Sequence, residues 1–140
     1  MVRDIGHKII ESHRQRTSFI EIWDNGIIFI KIDDNVEIEL EDSISQYEFL
    51  LSKYNGVNKH LILVEPGRFT NLSKESREFS QKPESNEITM ATAIIARSLA
   101  QRIVVNFIIS VIHQQAMKMK MFDDKEKAVE WLLSQRKGAA

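Results

Sequence analysis

The chain has 140 residues, 43% of them hydrophobic and 28% charged, which is the balance of one ordinary globular domain. The formal net charge of -1 supplies no strong field for nucleic acid or an anionic membrane, and the absence of cysteine excludes disulfides and thiolate zinc sites. No apolar run has signal-peptide character or reaches the ~20 residues that a membrane span needs. We therefore expect a soluble cytoplasmic protein that does not span a membrane.

The clearest local signal is an Asn-Gly pair between two stretches of β-forming residues. Phe19–Trp23 precedes Asp24-Asn25-Gly26, and the nearly all-apolar stretch Ile27–Ile32 follows it. Asn and Gly tolerate the positive φ of a type I′ turn, so the pattern predicts a β-hairpin. The continuous apolar character of Ile27–Ile32 indicates that the second strand lies deeper in a sheet than the first.

A helix and a buried strand are predicted after the hairpin. Glu39, Glu41 and Asp42 suit a helix N-terminus, where the macrodipole favours anions, and Gly56 suits its end. One face of this helix carries apolar residues at spacings of three and four, namely Ile44, Tyr47, Leu51 and Tyr54. The short apolar run Leu61–Val64 stops at a Pro-Gly pair, which favours a strand buried on both faces.

The longest apolar segment, Met90–His113, is interrupted only by Arg97-Ser98 and a few other polar residues. Its composition also allows one continuous helix, since no Gly or Pro breaks it. We favour a strand over Ala91–Ala96 and a buried helix over Leu99–Ile112, with Ser98 as the helix cap. The apolar stripe predicted to face the core is Leu99, Ile103, Phe107 and Val111, at a spacing of four.

An alternating segment and a final helix complete the pattern. Met117, Met119 and Met121 alternate with two lysines, which predicts a strand with one buried face at the edge of the sheet. Asp123 begins a helix that runs to about Arg136. The residues of that helix expected in the core are Ala128, Val129, Trp131 and Leu132.

Strands that alternate with helices imply a largely parallel sheet, to which the hairpin adds an antiparallel edge. This order resembles the SpoIIAA-like branch of the STAS superfamily, the sulphate-transporter and anti-sigma-factor-antagonist domains. The resemblance is carried by Asp24-Asn25-Gly26, by Leu61–Glu65 with Asn71–Arg77, by Arg97–Ile103 with Asn106-Phe107, and by Met121–Leu132. It implies an α/β fold with a single mixed, mostly parallel sheet of four or five strands, an N-terminal β-hairpin and about four packed helices. It does not imply an activity.

The expected domain organisation is simple. Residues 1–16 form an N-terminal arm or lead-in, residues 17–137 form a single α/β domain, and residues 138–140 form a frayed tail. The arm carries more basic than acidic residues, and we interpret it as a solvated lead-in rather than a binding arm.

Open parallel sheets place ligands beyond the carboxyl ends of their strands. Five polar residues are expected at that edge here: Glu65, Arg68, Thr70, Arg97 and Ser98. Two arginines near two helix N-termini suit a small anion. The alternative is ordinary surface charge with local ion pairs.

A hydroxyl near this edge has a second interpretation. A short helix is expected over Asn71–Phe79, capped by Asn71 or Ser73. In the anti-sigma-factor antagonists a serine at the start of the corresponding helix is phosphorylated, so the resemblance implies that Ser73 or Thr70 could play this part. The simpler interpretation is that Ser73 only caps the helix.

The resemblance implies a regulatory or protein-interaction module, possible phospho-regulation included. We expect it to be non-enzymatic, because no set of titratable residues converges in the sequence. The alternative is a small-ligand or lipid carrier, with a cavity lined by Phe69, Phe79, Ile88 and the helix Ile103–Ile112. No metal or cofactor is expected. A protein partner is possible, as is a homodimer formed through a sheet edge or an apolar helix face, and nucleic acid is not expected.

Overall fold

The structure, a computed structural model, describes residues 7–112 and 117–138. The strands are β1 (Ile9–Arg14), β2 (Ser18–Trp23), β3 (Ile27–Ile32), β4 (Glu37–Ile38), β5 (His60–Glu65), β6 (Asn71–Leu72), β7 (Thr89–Ile95) and β8 (Lys118–Phe122). The helices are α1 (Leu40–Ser52), α2 (Lys74–Ser80), α3 (Pro83–Asn86), α4 (Leu99–Ile112) and α5 (Lys125–Gly138). No helix within these ranges is long and apolar enough to cross a bilayer.

The main sheet has six strands in the order β1-β2-β3-β5-β7-β8. The first three pair antiparallel, and β3, β5, β7 and β8 pair parallel, as the alternation of strands and helices predicts. The sheet exceeds the predicted four or five strands because Ile9–Arg14, within the expected arm, forms an edge strand against β2. The methionine-lysine segment forms β8, the opposite edge strand, which confirms that prediction. A separate parallel pair, β4 with β6, lies outside the main sheet.

The β2–β3 hairpin is confirmed, but its turn differs from the predicted type I′. Only Gly26 has a positive φ, +88°, and its N–H donates to the carbonyl of Trp23 at 3.0 Å. This is a three-residue loop that closes on a glycine in the left-handed region, where a side chain would be strained. The Arg136 guanidinium of α5 donates to the Asn25 carbonyl at 3.2 Å and so attaches the last helix to this loop.

Two layers of helices cover the sheet. On one face, Phe29, Leu63 and Ala93 pack against α5, whose Ala128, Val129 and Leu132 are buried as predicted. On the other face, Ile30 and Ile62 pack against Leu50 and Tyr47 of α1, and Ile94 packs against Val105 of α4. The second face is the one that concerns function, because α1 and α4 cover different parts of it.

The segment Met90–His113 forms a strand and a helix over its described residues, close to the predicted bounds, but the buried stripe predicted for the helix is wrong. Leu99 is 76% exposed, Ile103 62% and Phe107 57%, whereas Val105 is 3% exposed. The side chain of Val111 lies outside the described residues. The physical reason is that α4 is apolar on two opposite faces, so periodicity alone does not select the one that packs on Ile94 and Met121.

The predicted stripe of α1 is wrong at one position. Leu51 is 46% exposed, and its neighbour Leu50 is 5% exposed. Leu50 packs against the sheet between Ile30 and Ile62, while Tyr47 and Tyr54 border the same cluster.

His60 at the start of β5 gives a pH prediction. Its side chain is buried, its Nε2–H donates to the Leu50 carbonyl at 2.7 Å, and desolvation by burial lowers its pKa despite that hydrogen bond. The unfolded chain therefore binds a proton at a pH where the native imidazole does not, and the free energy of unfolding should fall as pH drops below ~6.5. Urea unfolding at several pH values should show a flatter dependence for His60→Gln. His13→Gln, which keeps His60, should retain the wild-type slope; equal slopes in all three proteins would contradict the prediction.

Candidate functional site

A cavity of about 970 Å³ lies between the sheet and the helices that cover its second face. Its floor comes from the central strands β3, β5 and β7, through Ile30, Ile62 and Ile94. Tyr47 and Leu50 of α1 form one wall. This volume is at the upper end of the ~300–1,000 Å³ range of pockets that hold small molecules.

The opposite wall of the cavity belongs to α4. Val104, Val105 and Ile108 line it, and Met117 and Met119 continue the wall towards the edge strand. Thus α1 and α4 cover the sheet at separate places, and the space between them remains open. Phe69 and Phe79 line the cavity as the carrier hypothesis predicts. Ile88 does not line it, but is buried in the same core cluster as the floor residues Ile30 and Ile62.

The mouth lies at the carboxyl ends of the strands, because the exposed lining residues are concentrated there. Of the six site residues predicted from the sequence, the structure brings five together around this mouth: Glu65, Arg68, Thr70, Arg97 and Ser98. The sixth, Ser73, does not line the cavity. It is 7% exposed and caps α2, since its Oγ accepts from the Ser76 N–H at 3.1 Å.

Ser98 also caps a helix, as predicted. Its Oγ accepts from the Gln101 N–H at 3.1 Å, and the Gln101 Oε1 accepts in return from the Ser98 N–H at 3.3 Å and also from the Arg97 N–H at 2.9 Å. This reciprocal pair is a capping box, which satisfies amides that the helix leaves unpaired. The Gln101 amide also donates to the Gly67 carbonyl at 3.3 Å. The start of α4 is therefore tied to the loop across the mouth.

The loop from Gly67 to Thr70 is held in place by the turn after β3. The Arg68 N–H donates to Asp34 Oδ1 at 2.7 Å, and the Thr70 hydroxyl donates to the Asp33 carbonyl at 3.0 Å. Between these two anchors lies Phe69, which is 80% exposed and has φ +58°. A bulky side chain at positive φ is a backbone outlier, and such strain persists only where neighbouring contacts hold it.

Positive charge dominates the mouth. Glu65 ends β5, and its carboxylate faces three cations: Lys125 Nζ at 3.2 Å, Arg97 at 3.7 Å and Lys31 Nζ at 3.9 Å. The guanidinium of Arg68 adds a further charge to the lining. The cavity lining holds four cationic side chains and two carboxylates, so an anion at the mouth would find unneutralised donors. The cations are Lys31, Arg68, Arg77 and Arg97, and the carboxylates are Asp34 and Glu65.

Sequence reasoning missed Lys31, Lys125 and Gln101. Lys31 was detectable in principle, because it ends an apolar strand at the same sheet edge and the parallel register places it beside Glu65. Lys125 reaches Glu65 from α5 on the other face, which no sequence pattern indicates.

The side chains offer no evident metal site within the described ranges. Among residues 7–112 and 117–138, no three histidine or acidic side chains are placed to hold a metal ion together. The chemistry available at the mouth is that of arginine, lysine, amide and hydroxyl donors above an apolar cavity. Such a set is chemically suited to an amphipathic molecule.

Comparison with known proteins gives a family and a fold. The family described as Domain of unknown function (DUF7793) matches residues 20–136. No curated protein matches the sequence significantly. The crystal structure of an uncharacterized protein of the DUF3478 family from Shewanella loihica PV-4, which has a SpoIIAA-like fold, is similar over 94% of this chain and 98% of that chain, with a TM-score of 0.58 and 18% identity. The predicted SpoIIAA-like α/β fold is thereby confirmed, and the chain belongs to the DUF7793 family of domains of unknown function.

Proposed function

We propose that this protein binds a small amphipathic molecule, with an apolar body in the cavity and an anionic group at its mouth. The observation that supports this role most is the open, largely apolar space of about 970 Å³ where a fully packed core would have none. Interiors of domains are packed as densely as organic crystals, so a cavity of this size between a sheet and its helices calls for an occupant. The role is that of a carrier or sensor and needs no catalytic group.

The anionic group follows from the charges at the mouth. Lys31, Arg68 and Arg97 all line the cavity near its mouth. A carboxylate or phosphate would accept hydrogen bonds from these donors and would add the negative charge that Glu65 and Asp34 together do not supply. Long-chain carboxylic acids and monophosphate esters therefore fit this site better than neutral sterols or cationic amphiphiles.

Native mass spectrometry of freshly purified protein tests the proposal directly. We expect a second mass series from a co-purified molecule, and displacement of that series by a fluorescent long-chain carboxylic acid. A single mass series, together with no saturable binding of the fluorescent acid, would refute the proposed function.

Arg97→Gln is expected to weaken binding of the fluorescent acid about tenfold, because a hydrogen bond to a charged group contributes roughly 1.5–3 kcal/mol. The corresponding neutral alcohol should bind both proteins equally. Arg102→Gln, on the same helix but outside the cavity lining, is the matched control and should leave both affinities unchanged. Equal losses in the two variants would show that Arg97 does not contact the anionic group.

A regulatory protein-interaction module is the second candidate function, and one observation favours a modified hydroxyl at Thr70. Thr70 is partly exposed on the rim of the cavity, whereas Ser73 is buried and caps α2. A phosphate on Thr70 would lie in the loop that carries Arg68 and would change the charge of the mouth. Phosphoprotein mass spectrometry tests for a phosphate on Thr70, with Thr70→Val as the comparison. Modification confined to Ser73 would contradict the assignment to Thr70.

A further inference from the structure

Exposed apolar side chains lie on the loop at the mouth of the cavity and on the outer face of α4. Phe69 in the loop is 80% exposed, and Leu99, Ile103 and Phe107 on the outer face of α4 are 76%, 62% and 57% exposed. Val104, 44% exposed, connects this face to the cavity that it also lines. We call these five residues the apolar rim. Several large apolar side chains exposed together on a folded domain point to a contact with another apolar phase or partner.

The charges beside the apolar rim are positive. Arg68 precedes Phe69, Arg97 precedes the capping residue of α4, and Arg102 lies within α4 beside Ile103. All three arginines are exposed, and α4 carries no acidic residue from Leu99 to Ile112. The formal net charge of the whole chain is -1, so the composition does not reveal this local excess of positive charge.

The carboxylates near the rim already have partners within the protein. Glu65 faces Lys31, Arg97 and Lys125 within 4 Å. Asp34 accepts from the Arg68 N–H at 2.7 Å, in the interaction that holds the loop. These contacts leave positive charge and apolar side chains on the outward surface of the mouth.

The backbone holds Phe69 outward at a conformational cost. Its φ of +58° would suit glycine, and the hydrogen bonds of Arg68 and Thr70 on either side fix the loop in that conformation. A phenylalanine ring held in water by a strained backbone has no role in packing this domain. Phenylalanine and leucine side chains flanked by arginine are instead the composition of surfaces that insert into the interface of an anionic bilayer.

We infer that the apolar rim docks on an anionic lipid surface, with Phe69, Leu99, Ile103 and Phe107 in the acyl boundary and Arg68, Arg97 and Arg102 among the headgroups. The inference deepens the proposed function and rests on it, because docking in this orientation turns the mouth of the cavity towards the source of an amphipathic ligand. Val104 then lies where the apolar rim meets the cavity, and an acyl chain passing between them would remain in contact with apolar side chains.

Co-flotation with vesicles tests the docking surface. The full chain should float with vesicles of phosphatidylcholine mixed with phosphatidylglycerol, and much less with phosphatidylcholine alone. High salt should release it, since headgroup attraction is screened. Removal of one arginine, as in Arg102→Gln, should weaken vesicle binding about fivefold.

The decisive variant is Phe69→Gly, because glycine relieves the positive φ and so leaves the fold intact. We expect its vesicle partition coefficient to fall about tenfold, and that of Leu99→Ser to fall by a similar factor. Val57→Ser is the matched control: Val57 is 78% exposed but lies before the start of β5, at the opposite end of the sheet from the mouth. Equal binding by Phe69→Gly and wild-type protein, or an equal loss in Val57→Ser, would overturn the inference.

Measurements of acid binding and vesicle binding on the same variants distinguish a failure of this inference from a failure of the proposed function. Saturable binding of the fluorescent acid in solution with no vesicle binding would overturn the docking surface and leave the proposed function standing. Vesicle binding without a saturable site for the acid would refute the proposed function instead. Light scattering that shows a dimer in wild-type protein and a monomer in Leu99→Ser, without vesicle binding, would assign the rim to a protein interface and overturn the inference.

Discussion

Gly67→Ala should lower the free energy of unfolding by roughly 3 kcal/mol, at the upper end of the cost of overpacking. A Cβ at this position would lie 2.3 Å from the carbonyl oxygen of Asp33 and 2.7 Å from that of Ile32. Both obstacles are backbone atoms, one at the end of β3 and one in the turn after it, so no side-chain movement can relieve the clash. The loop would have to separate from that turn and break the hydrogen bonds that hold Arg68 and Thr70.

Urea unfolding measures this loss, and Gly56→Ala provides the matched control. Gly56 has φ +83°, and a Cβ added there would have no neighbouring atom within 4 Å, so the alanine suffers only conformational strain, about 1 kcal/mol. The affinity for the fluorescent acid should fall in Gly67→Ala and stay unchanged in Gly56→Ala. Equal destabilisation of the two variants would show that close approach of the two backbones is not what requires glycine at position 67.

Ile108→Trp should abolish measurable binding of an apolar ligand. Ile108 lies on the cavity wall formed by α4, and the larger indole would occupy the volume that an acyl chain needs. The cavity, at about 970 Å³, can take the new ring without displacing the core, so stability should change by less than about 1.5 kcal/mol. Titration with the fluorescent acid should show at least about a hundredfold weaker binding, which corresponds to roughly 2.7 kcal/mol.

Ser110→Trp is the control for this substitution. Ser110 is exposed on the same helix, and it is absent from the cavity lining. It should bind the acid like the wild-type protein. If Ile108→Trp also binds normally while both variants remain folded, the ligand does not occupy the cavity.

Much of the architecture was predictable because its signals are local. Three local signals each mark the end or start of a strand or helix: the loop at Gly26, the Pro-Gly pair after β5 and the cap at Ser98. Together they predict the alternation of strands and helices. The parallel sheet then follows, and with it the carboxyl edge that brings Glu65, Arg68 and Arg97 together. Five of the six predicted site residues accordingly line one mouth.

The errors arise where tertiary packing selects between equivalent local patterns. Either face of α4 is apolar enough for the core, and only contact with Ile94 and Met119 decides that Val105 turns inward. Similarly, Ile9–Arg14 becomes a strand because β2 offers an unpaired edge, not because its own sequence demands it. The cavity exists because α1 and α4 lie apart on the sheet. The hydrophobic periodicity of the two helices does not predict the distance between them.

The contact between Arg136 and the Asn25 carbonyl joins residues 111 positions apart. Leu132 and Ala128 from the same helix complete the cluster that covers Trp23, Phe29 and Leu63. Among the described residues, α5 is the helix that covers this face, so during synthesis from the N-terminus the face stays exposed to solvent until α5 has left the ribosome. Chains that stop before residue 125 should accumulate as aggregates or as chaperone-bound species, whatever the state of the ligand cavity on the other face.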